Sequence, residues 1–256
     1  MRRAWDEVGP PLVGVVAVVL IWALVAAVTD TASIPSPAVV WSAFLDGVRD
    51  GTIPEATLKT LIRLAFAFAL SIAIGALVGA GMALNEFARR SVRPIIVAMQ
   101  ITPFVAWLPI AVIWFGATER AVVFVTIVGA FPSMTLATLS AVRQVPPILK
   151  RAGATMGARG WTMYREVIVP AAMPGFVAGL QQAWGFAWKA LMAAELIITA
   201  AGATGLGHLL TEESADVPAL LAVLGVIVVI GVAVDYLVFH RLDRHVRKRR
   251  GLLVEG

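Results

Sequence analysis

Residues Gly153–Gly175 read GATMGARGWTMYREVIVPAAMPG. Two arginines and a glutamate make the stretch too polar to cross a bilayer, while its aromatic and β-branched residues make it too structured for a linker. Its surroundings are different. The 256-residue chain is 59% hydrophobic and only 14% charged, with a mean hydropathy of +0.86. A water-facing surface needs more polar side chains than that, so an ordinary soluble domain is excluded.

Apolar runs recur on both sides of the quoted stretch. Each is long enough to cross a hydrocarbon core roughly 30 Å thick. Six spans are expected, at about 11–28, 61–84, 94–115, 120–142, 174–198 and 218–240. They are read as helices because lipid offers no partner to an unpaired backbone group. Runs such as LLAVLGVIVVIGVAV lack the alternating polar face that a lipid-embedded barrel requires. The first run, Pro11–Val28, follows Met1-Arg2-Arg3 without a marked small-residue cleavage site and is read as a retained span. Pro94, Pro174 and Pro218 are expected at or near span starts, where a missing N–H costs little. The fold class is thus all-α and polytopic, with residues 1–256 forming a single transmembrane domain.

Basic residues orient these spans. With the N-terminus inside, the cytoplasmic side receives Arg2 and Arg3, Arg89, Arg90 and Arg93, the basic residues from Arg143 to Arg165, and the terminal cluster HRLDRHVRKRR. Together these are most of the 21 lysines and arginines, and the outer side and span starts keep only Arg49, Lys59, Arg63 and Arg120. This is the positive-inside pattern for a multi-pass cell-membrane protein with both termini cytoplasmic. The terminal cluster directly follows a span, so it is read as a flank and no nucleic-acid partner is expected. The outer connection from Ile34 to Leu58 is expected to carry an amphipathic helix at the interface, with Trp41 and Phe44 turned inward.

Nothing in the chain proposes catalysis. A phosphate-binding G-x-x-x-x-G-K-[ST] loop, H-E-x-x-H and G-x-S-x-G are all missing, and AGATGLGHLL lacks the lysine that a phosphate loop needs. The chain has no cysteine, hence no disulfide, thiolate metal site or cysteine nucleophile, and His208, His240 and His245 lie near span ends. The chain is expected to be no enzyme and to bind neither cofactor nor metal.

In this topology the opening stretch lies on the cytoplasmic side, most of it within a loop at 146–170, and its last residues lead into span five. From Pro146 it reads PPILKRAGATMGARGWTMYREVIVPAAMP. Two short helices are expected, Pro147 to about Met156 and about Trp161 to Val169, joined at Gly157 by a turn or close contact. Trp161, Tyr164 and Ile168 then share one face of the second. An amphipathic helix resting on lipid headgroups has the same pattern.

This loop resembles the "EAA" loop of ABC-transporter permeases of the binding-protein-dependent importer family: E-A-A, three residues, G, about nine residues, then I-x-L-P. Gly157 matches the glycine, and Ile168, Val169 and Pro170 approximate the closing residues. IPSP, ITPFVAWLPIAVIWFG, GAFPSMTLATLSAVRQVPP and GFAWKALMAAELI are similar to the nitrate/sulfonate/taurine-type permeases, so the resemblance covers roughly residues 34–246. One departure stands out. The family's E-A-A falls on Arg151, Ala152 and Gly153, which puts a base where the acid is usual.

The resemblance implies the architecture of a type I ABC importer permease, with a coupling helix between spans four and five. It also implies an assembly: a second permease copy, two cytoplasmic ATPase subunits carrying ATP and Mg, and an extracytoplasmic substrate-binding protein. Arg151, Ala152, Gly153, Met156, Gly157, Trp161 and Tyr164 would then form the ATPase-coupling surface. The transported solute is expected to be small and anionic, such as a sulfonate, taurine or nitrate. A secondary transporter or channel without an ATPase is the rival, and it calls for coupling acids and repeated, broken spans, of which the chain offers only Glu195 and Asp235 as acids and no evident repeat.

Span five concentrates intramembrane polarity. Ionisable groups in hydrocarbon are costly and usually face a pathway or a partner. Gln181, Trp184 and Trp188 fall on one helical face with Lys189 beside it, and Glu195 follows. A cation among aromatics suits an anionic solute, and these five are the candidate pathway residues. Packing is the competing role for the tryptophans, and pairing within the bundle for Lys189. In span three Pro103 and Pro109 are expected to kink the helix, and in span two Gly75, Gly79 and Gly81 to permit close helix approach.

Overall fold

A computed structural model describes residues 2–29, 34–198 and 204–248. All regular structure among the described residues is helical. In chain order the elements are α1 (Arg2–Thr29), α2 (Pro37–Arg49), α3 (Thr52–Leu84), α4 (Glu86–Ile101), a 3-10 turn at Phe104–Trp107, α5 (Leu108–Phe115) and α6 (Glu119–Arg143). There follow α7 (Pro147–Thr155), α8 (Gly160–Met163), a π segment at Tyr164–Ile168, α9 (Val169–Ile197), α10 (Leu206–Glu212), α11 (Val217–Val234), a second π segment at Asp235–His240, and α12 (Arg241–Lys248).

By length and hydropathy three helical runs among the described residues can cross a membrane alone: α3, α6 and the run Val217–Val246. The pair α4–α5, bent by 101°, supplies a fourth if it counts as one broken span. Val13–Thr29 is a shorter apolar helix, and α9, diluted by Gln181, Gln182, Lys189 and Glu195, falls outside this set.

Several boundaries differ from expectation. The helix that carries the second apolar run begins nine residues earlier than the expected span, at Thr52, and Glu55 and Lys59 form a 2.7 Å ion pair one turn apart within this polar first part. Pro94 lies inside α4 rather than at a span start, and the chain breaks instead at Thr102–Pro103, where the backbone turns extended. Pro174 is likewise interior to α9. The expected separate helix at Trp161–Val169 is the lead-in to α9, since Pro170 takes one of its first positions and the Tyr164–Ile168 π segment carries the chain into it unbroken. Trp41 is 61% exposed rather than inward; Val40 is the buried residue of α2, and Trp41 instead lays its ring against Phe44 at 5.1 Å.

α6 is the central helix, flanked by α3 on one side and α9 on the other. Small residues bring the backbones together: a Cβ on Gly79 would lie 2.5 Å from the Thr135 carbonyl oxygen, and one on Gly75 would lie 2.7 Å from Met134 Cβ. Gly81 faces open space. Leu64, Val125, Trp184, Leu191 and Phe239 belong to the core around this triplet. The outer faces of α1, α3 and α11 are lined by exposed apolar side chains such as Leu20, Leu77 and Val229, as a hydrocarbon surround demands.

Candidate functional site

The α6–α9 connection folds into a compact tip. α7 ends in a Schellman arrangement: Gly157 has φ +87°, its N–H donates to the Ala154 carbonyl at 3.1 Å, and the Ala158 N–H reaches back to Gly153 at 2.9 Å. Gly157 therefore makes the turn, and open space surrounds it. Close contact falls to Gly153, where a Cβ would meet Val167 Cγ2 at 2.8 Å and Met163 Sδ at 3.3 Å. So α7 is pressed against the lead-in to α9.

Of the seven residues expected on this surface, Arg151, Ala152, Met156, Gly157 and Trp161 are exposed, Tyr164 is half-buried and Gly153 is buried. Met156 is 87% exposed and Trp161 77%, beside an exposed Ile148, so the tip offers large apolar side chains to solvent. The expected common face of Trp161, Tyr164 and Ile168 does not form: Trp161 points outward while Ile168 packs with Ala141, Val145 and Ala172.

At the opposite end of the bundle a buried polar clasp surrounds Glu195, which is 3% exposed. Its carboxylate accepts from Thr60 Oγ1 at 2.8 Å, Arg63 Nη1 at 2.9 Å and the Gly207 N–H at 3.1 Å. Thr60 Oγ1 in turn accepts from the Leu206 N–H at 2.9 Å. Arg63 also donates to the Thr204 carbonyl at 3.1 Å and, through Nη2, to Glu119 Oε1 at 2.6 Å. One guanidinium thus ties α3, α6, α9 and the segment leading into α10 together. Gly205 and Gly207 leave the space: a Cβ on either would come within 2.7 Å of Glu195. A buried carboxylate with a cation and several donors is satisfied, whereas a lone one would be costly.

The five span-five candidates are not brought together. Gln181 donates to Asp235 Oδ1 at 3.0 Å. Trp184 stacks on Trp188 at 5.9 Å and meets Phe68 edge-on at 5.8 Å, and the missing side chain of Gly231 makes room for Trp188. These three face α3 and the α11 region. Lys189 is exposed on another face and has neither ion pair nor hydrogen bond among the described residues. Glu195 takes Arg63, not Lys189, as its cation.

That other face of α9 borders a groove of about 350 Å³ between α4, α6 and α9. Gln100, Ser133, Ser140, Gln144 and Gln182 line it. Ser133 Oγ is buried without a hydrogen-bond partner among the described residues, and an unmet buried hydroxyl costs about 1–3 kcal/mol. None of these residues is among the five pathway candidates that the sequence offers. Their periodicity was available, since Ser133 and Ser140 in α6 and Gln144 at its C-terminal cap recur at seven and four. What was missing was the knowledge that α4 and α9 present Gln100 and Gln182 to the same face.

Residues 71–250 match the family model described as "Binding-protein-dependent transport system inner membrane component". The taurine transport system permease protein TauC of Escherichia coli strain K12 is 31% identical over 186 residues, covering 72% of this chain and 66% of that protein. The bicarbonate transport system permease protein CmpB of Synechococcus elongatus is 26% identical over 222 residues, covering 82% and 79%. Among solved structures, an inward-facing form of the MetNI methionine ABC transporter superimposes with a TM-score of 0.62 at 22% identity, covering 76% of this chain and 96% of its counterpart. An amino acid ABC transporter crystallised with histidines gives 0.60 at 18%, covering 80% and 98%.

Proposed function

Because the chain belongs to the family of binding-protein-dependent transport system inner membrane components, and so is a membrane permease subunit of an ABC importer rather than an enzyme, we propose that it works through two surfaces, the α7–Gly157 tip and the groove face of α9. The chain forms one domain of six spans, carried by α1, α3, α4–α5, α6, α9 and α11, with both termini and the α7 tip in the cytoplasm. Support for that orientation is the gathering of basic residues at the tip end and in α12.

Two copies pair, and two separate ATPase subunits holding ATP and Mg bind the tips. An extracytoplasmic binding protein delivers a small anionic solute to the α10 side. Taurine and bicarbonate, the solutes in the names of two relatives, both carry an oxyanion. When the ATPase subunits close, each displaces the α7 it holds. The observation that carries this reading is the contact at Gly153, which presses α7 onto Met163 and Val167 just before α9 begins. Displacement of the tip therefore passes into α9 as a rigid-body, two-state movement. Met156 and Trp161 are the apolar anchors, and Arg151 gives the docking surface a positive charge in place of the family's usual acid. An ion-coupled carrier would need an acid open to a pathway, but Glu195 is held by Arg63 and Thr60, and Asp235 accepts from Gln181.

The test is co-purification and ATP-driven uptake in proteoliposomes containing the permease, its ATPase and its binding protein. Met156→Glu with Trp161→Glu, both on exposed positions, is expected to leave the permease folded while releasing the ATPase and abolishing uptake. Normal uptake by this double variant would overturn the docking role of the tip.

A further inference from the structure

The groove between α4, α6 and α9 is a polar strip within otherwise apolar helices. It is lined by the amides of Gln100, Gln144 and Gln182 and the hydroxyls of Ser133 and Ser140, and no carboxylate among the described residues lines it. Ser133 stands apart from the hydroxyls near it. Thr126, Thr135 and Thr138 on the same helix each donate back to a carbonyl four residues earlier, at 2.8 Å, whereas Ser133 Oγ has no partner among the described residues. Gln182, Ser140 and Gln144 are exposed. Seven residues beyond Gln182, two helical turns or about 10 Å toward the Glu195 end, Lys189 is exposed on the same side of α9 and unpaired among the described residues.

Gln100, Ser133 and Gln182 fall within expected spans, where polar groups are costly in hydrocarbon and usually face a pathway or a partner. The chemistry is also selective. Amide N–H and hydroxyl groups donate well to oxyanion oxygens, and Lys189 attracts negative charge at the approach. A cationic solute would find no counter-charge in the groove.

We propose that this groove is a solute station for small oxyanions, with Lys189 at its entrance and Gln182, Gln100 and Ser140 as neutral donors. Resting on the importer reading above, it adds where the solute pauses and how it is held. A neutral station holds an anion loosely enough to release it, as a transport path requires. The guide charge is kept apart, on Lys189.

The chain has no cysteine, so single cysteines report cleanly. Gln182→Cys and Ser140→Cys are introduced separately into the full transporter in proteoliposomes, with Leu77→Cys as a control on the apolar outer face of α3. The probes are an anionic and a cationic methanethiosulfonate, with methanesulfonate as competitor. The anionic reagent is expected to modify the Gln182→Cys and Ser140→Cys thiols about tenfold faster than the cationic one, a size typical of electrostatic focusing. Methanesulfonate should slow it, and Lys189→Gln should remove the anion preference without stopping the reaction. The Leu77→Cys thiol should show neither preference nor protection. Equal rates for the two reagents, or thiols at both groove positions as unreactive as that of Leu77→Cys, would overturn the station. The second result would mean that lipid or a second copy fills the groove. ATP-driven uptake by the unmodified chain is measured alongside: its loss would sink the importer reading, while charge-selective labelling would still report on the groove.

Discussion

Glu195 and Lys189 show how little a charged letter says until its surroundings are known. Both are ionisable residues in one apolar run, six positions apart. Glu195 is enclosed by Thr60, Arg63 and the Gly207 amide, while Lys189 stands free of such contacts among the described residues. The difference comes from Arg63, which sequence places merely at a span start but which is 7% exposed and bridges two glutamates. Glu195→Ala removes one of the two carboxylates from that guanidinium, which keeps Glu119 and the Thr204 carbonyl, a loss of about 1.5–3 kcal/mol. Thermal unfolding of the detergent-solubilised protein should show a clear drop. Glu195→Gln, which keeps an acceptor for Thr60 and loses the charge, is expected to fall between wild type and Ala. An unchanged melting temperature in Glu195→Ala would mean that the clasp contributes nothing to stability.

Elements depend on particular residues whose effect reverses with context. Pro94 and Pro174 are tolerated inside helices, yet Pro103 with Thr102 breaks the chain between α4 and α5 by 101°. Proline removes a donor wherever it occurs, and whether the helix ends depends on whether neighbours meet the freed carbonyls. The α7 hairpin separates two glycine functions that sequence could not. Gly157 needs its positive φ, and Gly153 needs its missing side chain. Gly157→Ala is expected to cost about 1 kcal/mol through left-handed strain. Gly153→Val forces α7 away from Val167 and should uncouple ATP hydrolysis from uptake far more than Gly157→Ala does. The comparison is the ratio of solute transported to ATP hydrolysed, and equal ratios in the two variants would count against force passing through the Gly153 contact.

At the scale of the molecule, α6 holds the bundle together because α3 and α9 approach it through small residues. Gly79→Leu cannot fit against the Thr135 carbonyl. The variant is expected to lose folded yield in membranes and to melt well below wild type, as read by size-exclusion elution and thermal unfolding. Retention of both would mean that α3 can retreat without cost. By itself the sequence determined the class: composition, long apolar runs and a lopsided distribution of basic residues are one-dimensional properties, because hydrocarbon imposes helix on any apolar run long enough to cross it. The α7 tip was legible too, since its glycine and polar helix interrupt that apolar order. Only the tertiary structure decided which polar groups meet. Arg63 and Glu195 lie 132 positions apart, and Gln100, Ser133 and Gln182 come from three helices. Such contacts depend on how helices rotate and pack against one another, and packing in a bilayer is set by the shapes of small residues rather than by hydrophobic pattern, which lipid-facing and core-facing sides share.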